Sequence, residues 1–106
     1  MLGVRVVYRV VRSNPPTRRD FFSPAALGRR FQDAKQRALA EGVSVFATEE
    51  QARRLARRFH LGSYIAEVNL PEECRILRTQ RTPGHHTVWA AADLLLEAVV
   101  RVVSVE

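Results

Sequence analysis

Cysteine is almost missing from this sequence of 106 residues, with Cys74 the single example. That excludes an internal disulfide and any cysteine-rich zinc module. Long hydrophobic runs are missing too, since no apolar stretch approaches the roughly 18 residues of a membrane span. The first residues, MLGVRVVYRVV, alternate like a strand and are interrupted by arginine, unlike the apolar centre of a signal peptide. The expectation is therefore a cytoplasmic protein with no membrane partner. There is no glycine-rich phosphate loop, no G-x-S-x-G elbow, no internal repeat and no low-complexity linker. Lysine is scarce: Lys35 stands alone beside sixteen arginines. Arginine suits phosphate through its planar fork, but a GC-rich coding sequence produces the same bias and is its larger cause.

What is present describes one globular unit. The chain is 46% hydrophobic and 26% charged, which places it among folded single domains with a real core. Its length leaves no room for a separate cofactor domain. The net charge of +6 is concentrated: residues 1–60 carry thirteen basic and five acidic side chains, and residues 61–106 carry four and six. A basic half implies phosphate-bearing or acidic partners.

Hydrophobic periodicity gives the element order. Residues 2–12 alternate, with Val4, Val6, Tyr8 and Val10 on one face and Arg5, Val7, Arg9 and Val11 on the other. This predicts a strand inside a sheet, broken by Pro15 and Pro16. Ser23-Pro24 is a helix-start signal whose turn ends at Gly28. Phe31, Ala34, Ala38 and Leu39 predict a second helical stretch up to Gly42. Residues 42–46 read as a short strand. Thr48 and Gln51 form a capping box, opening a helix with Ala52, Leu55, Ala56 and Phe59 as its buried stripe and Gly62 as its end. Residues 63–70 alternate again, stopped by Pro71. Short extended segments are predicted at 75–79 and 85–89 around a Thr82-Pro83-Gly84 turn. A helix over 90–98 and a strand over 99–105 follow. The order predicts an α+β fold.

Few constellations carry chemistry. On the arginine face of the Thr48 helix, Glu49 and Glu50 lie four residues before Arg53 and Arg54, the favourable spacing for ion pairs. Only Arg57 and Arg58 lack such a partner, so a solvated face is favoured over a phosphate-binding one. His85-His86-Thr87 has no third ligand at metal spacing; it stays a candidate as a histidine pair entering a strand beside Trp89. Cys74 has one neighbouring cation and no ordered imidazole partner. Arg9, flanked by valines on a strand, needs a partner because an unpaired buried charge is costly. Two readings stay open for it: an ion pair, for example with Glu67, or an anchor for a phosphate or ribose.

Several of these segments together resemble the ADP-ribosyltransferase-like superfamily, which includes RES-domain toxins and poly(ADP-ribose) polymerases. Val6-Val7-Tyr8-Arg9-Val10 is similar to the family's first strand, whose Arg or His anchors NAD. Gly42-Val43-Ser44-Val45-Phe46 and the alanine-containing helix after it resemble the second motif, and residues 64–71 the strand that follows. His85-His86-Thr87-Val88-Trp89 takes the third place. The chain also resembles small bacterial proteins with Tyr-Arg, Asp-Phe-x-Ser and His-His-Thr-x-Trp patterns; Asp20-Phe21-Phe22-Ser23 fills the second of these. Two positions depart from the family. Ser44 stands where an aromatic is usual, and His85 or His86 stands where a glutamate holds the ribose. Losing such an electrostatic partner costs roughly 2.7–4 kcal/mol.

The resemblance implies a compact single domain of two small β-sheets forming a cleft, with two to three flanking helices. It implies NAD as the substrate, no metal, and cleavage of the nicotinamide–ribose bond. ADP-ribose would pass to a protein, a nucleic acid or water. Arg9, Tyr8 and Tyr64 would hold NAD, Ser44 would orient its nicotinamide ribose or amide, and His85 and His86 would contact the ribose or a transferred phosphate. A toxin held by a neutralising partner protein fits the length. The alternative is a non-catalytic basic module that binds nucleic acid or an acidic protein.

Overall fold

The computed structural model describes residues 4–31, 33–79 and 82–106. Residues 2 and 3 of the first expected strand lie outside them. Val7 and Val11 are buried on one face of β1 (Val4–Val11), while Tyr8 and Val10 pack on the other. The two-sided apolar pattern puts β1 at the centre of the sheet. It pairs antiparallel with β3 (Tyr64–Pro71) along its whole length, from Val4 opposite Pro71 to Val11 opposite Tyr64. β3 then pairs with the edge strand β6 (Val99–Ser104), with a register shift at Glu67/Val68. On the other side β2 (Val43–Phe46) pairs with β5 (His85–Trp89), and β5 with the edge strand β4 (Arg75–Arg78).

The expected pair of small sheets is a single six-stranded sheet in the order β4-β5-β2-β1-β3-β6. What unites it is narrow. β1 and β2 share one partner pair, Tyr8 opposite Phe46. Beyond it Arg9–Val11 and Val43–Val45 make no strand pairing across the seam, although both runs are paired on their outer sides.

Helices pack on both faces of the sheet. α2 (Glu49–Phe59) follows its Thr48 cap, whose hydroxyl accepts from Gln51 N at 3.2 Å. Ala52 and Ala56 seal it against Phe46, Ile65 and Val105. Leu55 is only partly buried and Phe59 is 55% exposed, so the stripe is narrower than its periodicity predicts. α2 ends at His60 and not at Gly62: His60 adopts the left-handed conformation (φ 52°) and donates to Ala56 O. α3 (Ala92–Glu97) inserts Leu95 into the opposite core, beside Phe21, Val45, Val68 and Val88. Phe21 arrives on a single 3-10 turn, Arg18–Phe21, which the alternation pattern did not predict. Ser23 does cap, its hydroxyl accepting from Ala26 N at 3.1 Å, but residues 24–28 form turns and no helix. Regular helix begins only at α1 (Ala34–Ala40), capped by Asp33. Among the described residues no helix is long and apolar enough to cross a membrane.

Gly42 shows how tightly α1 and β5 meet. A Cβ there would collide with Thr87 Cγ2 and come within 3.1 Å of the Trp89 ring. Trp89 Nε1 is itself committed to Ala38 O at 2.9 Å. Gly42→Ala should therefore cost about 1–3 kcal/mol through overpacking. Urea denaturation should show a lower midpoint at unchanged slope; an unmoved midpoint would refute this packing.

Candidate functional site

Where β1 and β2 part, a cleft of about 670 Å³ opens. Its floor includes Arg9 and Val10 of β1 and Val43, Ser44 and Phe46 of β2. One wall comes from the segment 12–29 and the other from Leu55, Phe59 and Leu61, with Thr82 and His85 closing the end.

Arg9 spans the seam. Its Nε donates to Asp20 O at 3.0 Å and its Nη1 to Ser44 O at 2.8 Å. The ion-pair reading does not hold among the described residues: the partners of Arg9 are two carbonyls. Glu67 lies opposite Tyr8 and binds Arg101 at 3.1 Å. Desolvation pushes the Arg9 pKa down to about 10, with the nearby Asp20 carboxylate opposing the shift. The group stays charged at neutral pH, held without a carboxylate ligand. Its Nη2 makes no hydrogen bond among the described residues.

Asp20 is spent on shaping the wall. Its carboxylate accepts from Arg12 N at 2.9 Å, Ser13 Oγ at 2.6 Å and Thr17 N at 2.9 Å. Burial raises its pKa, but these donors outweigh burial and hold it below the ordinary 3.8. The segment 12–29 presents Arg12, Arg19 and Arg29 to the cleft. Among the described residues the ion pairs use Arg18, Arg53, Arg54, Arg57 and Arg101, and none of these three. The cleft is therefore cationic, with Asp20 its single, already engaged, carboxylate.

Both walls also carry exposed apolar side chains. Leu27 and Leu61, each 43% exposed, and Phe59 all line the cleft. Phe22 and Phe59 each carry an arginine over the ring, Arg18 at 5.7 Å and Arg58 at 5.1 Å. Such cation–π contacts help to hold the two rings in place.

His85 is buried at the cleft's end. Its ring meets Phe46 edge-on, with centroids 5.4 Å apart and planes at 83°. Burial, then the fields of His86 and Arg9, hold its pKa below 6.5, so at neutral pH it is an uncharged imidazole. The turn before it is fixed by a positive φ at Gly84 (76°) and by Gln51, whose amide occupies the space of a Cβ there.

Of the six residues expected at a site, Arg9, Ser44 and His85 line this one cleft. The other three do not. His86 alternates to the opposite face of β5, and its Nδ1 donates to Gly84 O at 2.8 Å. Tyr8 lies on the α2 side of β1 opposite Glu67, and burial and Glu67 raise its pKa. Tyr64 packs against the larger core. Cys74 is buried, with its pKa raised chiefly by desolvation. Arg53 and Arg57 donate to Val105 O at 3.1 and 3.2 Å, so Arg57 is not partnerless: α2 uses both to tie down the C-terminal strand. Sequence reasoning missed Arg12, Arg19 and Arg29, because nothing local places a loop arginine. Asp20 did carry a signal, the Thr17-x-x-Asp20 capping spacing.

Among the described residues no three side chains of metal-ligating type cluster. No protein-family model matches this chain, and no curated protein or solved structure is significantly similar to it.

Because Asp20 is more acidic folded than unfolded, its stabilisation is complete above 3.8 and is lost as pH falls through its native value. Asp20→Asn should lower the melting temperature at pH 7 and flatten its decline below about pH 4. A parallel acid limb in the variant would show that the loop does not depend on this carboxylate.

Proposed function

We propose that the cleft binds NAD and that the chain is an ADP-ribosyltransferase-like domain cleaving the nicotinamide–ribose bond. The observation that carries this reading is the convergence of Arg9, Ser44 and His85, from three separate strands, on one cationic cleft whose walls include Phe22 and the exposed Phe59. Its volume falls in the range of about 300–1,000 Å³ typical of small-molecule sites. A dinucleotide needs donors for its pyrophosphate and apolar neighbours for its rings, and the lining holds arginines beside Phe22, Leu27, Phe59 and Leu61. Arg9, through the nitrogen it does not spend on carbonyls, is the phosphate or ribose anchor, and a planar guanidinium suits that role. In this reading Ser44, which lines the same cleft, orients the nicotinamide ribose or amide.

In the reaction the C1′–N bond breaks, its electron pair returning to the nicotinamide ring and leaving an oxocarbenium-like ribose. The acceptor, a macromolecule or water, attacks C1′ and loses a proton. A neutral imidazole at the end of the cleft can take that proton, because its pKa is held below physiological pH. No carboxylate of the cleft is free to steady the cation, which predicts slow turnover.

Calorimetric titration with NAD, with nicotinamide release followed in the same samples, tests this. Saturable binding is expected, weakened by roughly 10- to 150-fold in Arg9→Lys, the worth of a charged hydrogen bond. Circular dichroism should confirm that the variant folds. Absence of NAD binding to the wild-type chain would overturn the proposal.

The three unpaired loop arginines favour a second reading, a non-catalytic module for nucleic acid. It would show as single-strand binding that falls steeply with salt while NAD does not bind.

A further inference from the structure

His85 is supported from behind by hydroxyls that the reaction scheme does not use. Thr79 follows β4 directly, and Thr87 lies two residues beyond His85 on β5, on the same face. The two hydroxyl oxygens are 2.6 Å apart, a full-strength hydrogen bond. Thr79 Oγ1 then lies 3.4 Å from His85 Nδ1. That is long, but catalytic hydrogen bonds are often loose in a free enzyme and tighten with substrate. Among the described residues the ring has no other hydrogen-bond partner.

The direction of the protons follows from the charges. Arg9, Arg12, Arg19 and Arg29 line the cleft, and the fields of His86 and then of Arg9 reach the ring. A neutral imidazole in that field is more stable with its lone pair toward the cations and its N–H away from them. The N–H then belongs on Nδ1, donating to Thr79 Oγ1, and the Thr79 hydroxyl donates to Thr87 Oγ1. Each Thr79 atom has one role in this arrangement, and the Phe46 edge contact keeps the ring plane in place.

We infer that Thr79, anchored by Thr87, is a positioning residue that fixes His85 as its Nδ1–H tautomer with the basic Nε2 turned to the cleft. The consequence for turnover rests on the NAD-cleaving reading; the tautomer itself does not. In the proposed reaction the fixed Nε2 takes the acceptor's proton, and the resulting imidazolium keeps its Nδ1–H bond to Thr79.

Long-range ¹H–¹⁵N spectra of the full chain, with His60→Gln and His86→Gln variants for assignment, read the tautomer without NAD. The wild type should show His85 predominantly as Nδ1–H at neutral pH. Thr79→Val should return it to a mixture, Thr87→Val should do so partly, and Thr79→Ser should restore the wild-type pattern. A His85 that is Nε2–H in the wild type, or unchanged in a folded Thr79→Val, overturns the inference. If NAD is cleaved, Thr79→Val should lower kcat about ten- to hundredfold, within what general acid–base catalysis supplies, at unchanged KM. If NAD is not bound, the NAD-cleaving reading fails while the tautomer result still decides the role of Thr79.

Discussion

One guanidinium holds the middle of this protein. The sheet is continuous only through Tyr8 and Phe46, and the gap that opens beside that pair is crossed by Arg9. Two carbonyls, from Asp20 and Ser44, accept its protons. Burying a charge on neutral acceptors is expensive, and the lowered pKa of Arg9 expresses that cost. The fold tolerates it because the same contacts fix three things together: the end of β1, the segment carrying Asp20, and the N-terminal half of β2. An ordinary ladder pairing would satisfy the strands at less expense, but it would close the cleft.

The surrounding charges follow from that choice. Asp20 places its carbonyl on Arg9 but turns its carboxylate back onto the backbone and hydroxyl donors of its own loop. Neutralisation of Arg9 is incomplete, and three further arginines on the same lining have no acid partner among the ion pairs described. The arginines of α2 contrast with them. Arg53 and Arg54 pair with Glu49 and Glu50, and Arg53 and Arg57 hold the C-terminal strand. The arginines of α2 are therefore largely structural, while those around the cleft are uncompensated.

Much of the local structure was legible in the sequence. Alternating valines marked β1, the Thr48–Gln51 box marked the start of α2, and Pro71 marked the end of β3. These signals are local, and so are the forces behind them. The junction of two expected sheets into one was not legible, because it depends on Tyr8 meeting Phe46, thirty-eight positions apart. The helix end at His60 was hidden for another reason: a left-handed residue is usually glycine or asparagine, and Gly62 drew the assignment. At the site, Arg9, Ser44 and His85 could be named in advance as candidates. His86 went with them only because strand neighbours cannot be told apart until the register assigns their faces. Thr79 had no signal at all, since its role exists only across the β4–β5 pairing.

The central claim is that Arg9 is both the brace of the seam and the anchor of a nucleotide. Side-chain ¹⁵N–¹H spectra of the arginine guanidinium groups, recorded while ADP-ribose is added, address it directly. The account predicts a saturable shift of the Arg9 Nε–H resonance, accompanied by shifts of Arg12, Arg19 or Arg29. An Arg9 resonance that stays fixed while ADP-ribose binds elsewhere, or while it fails to bind, would contradict the account and leave Arg9 a purely structural brace.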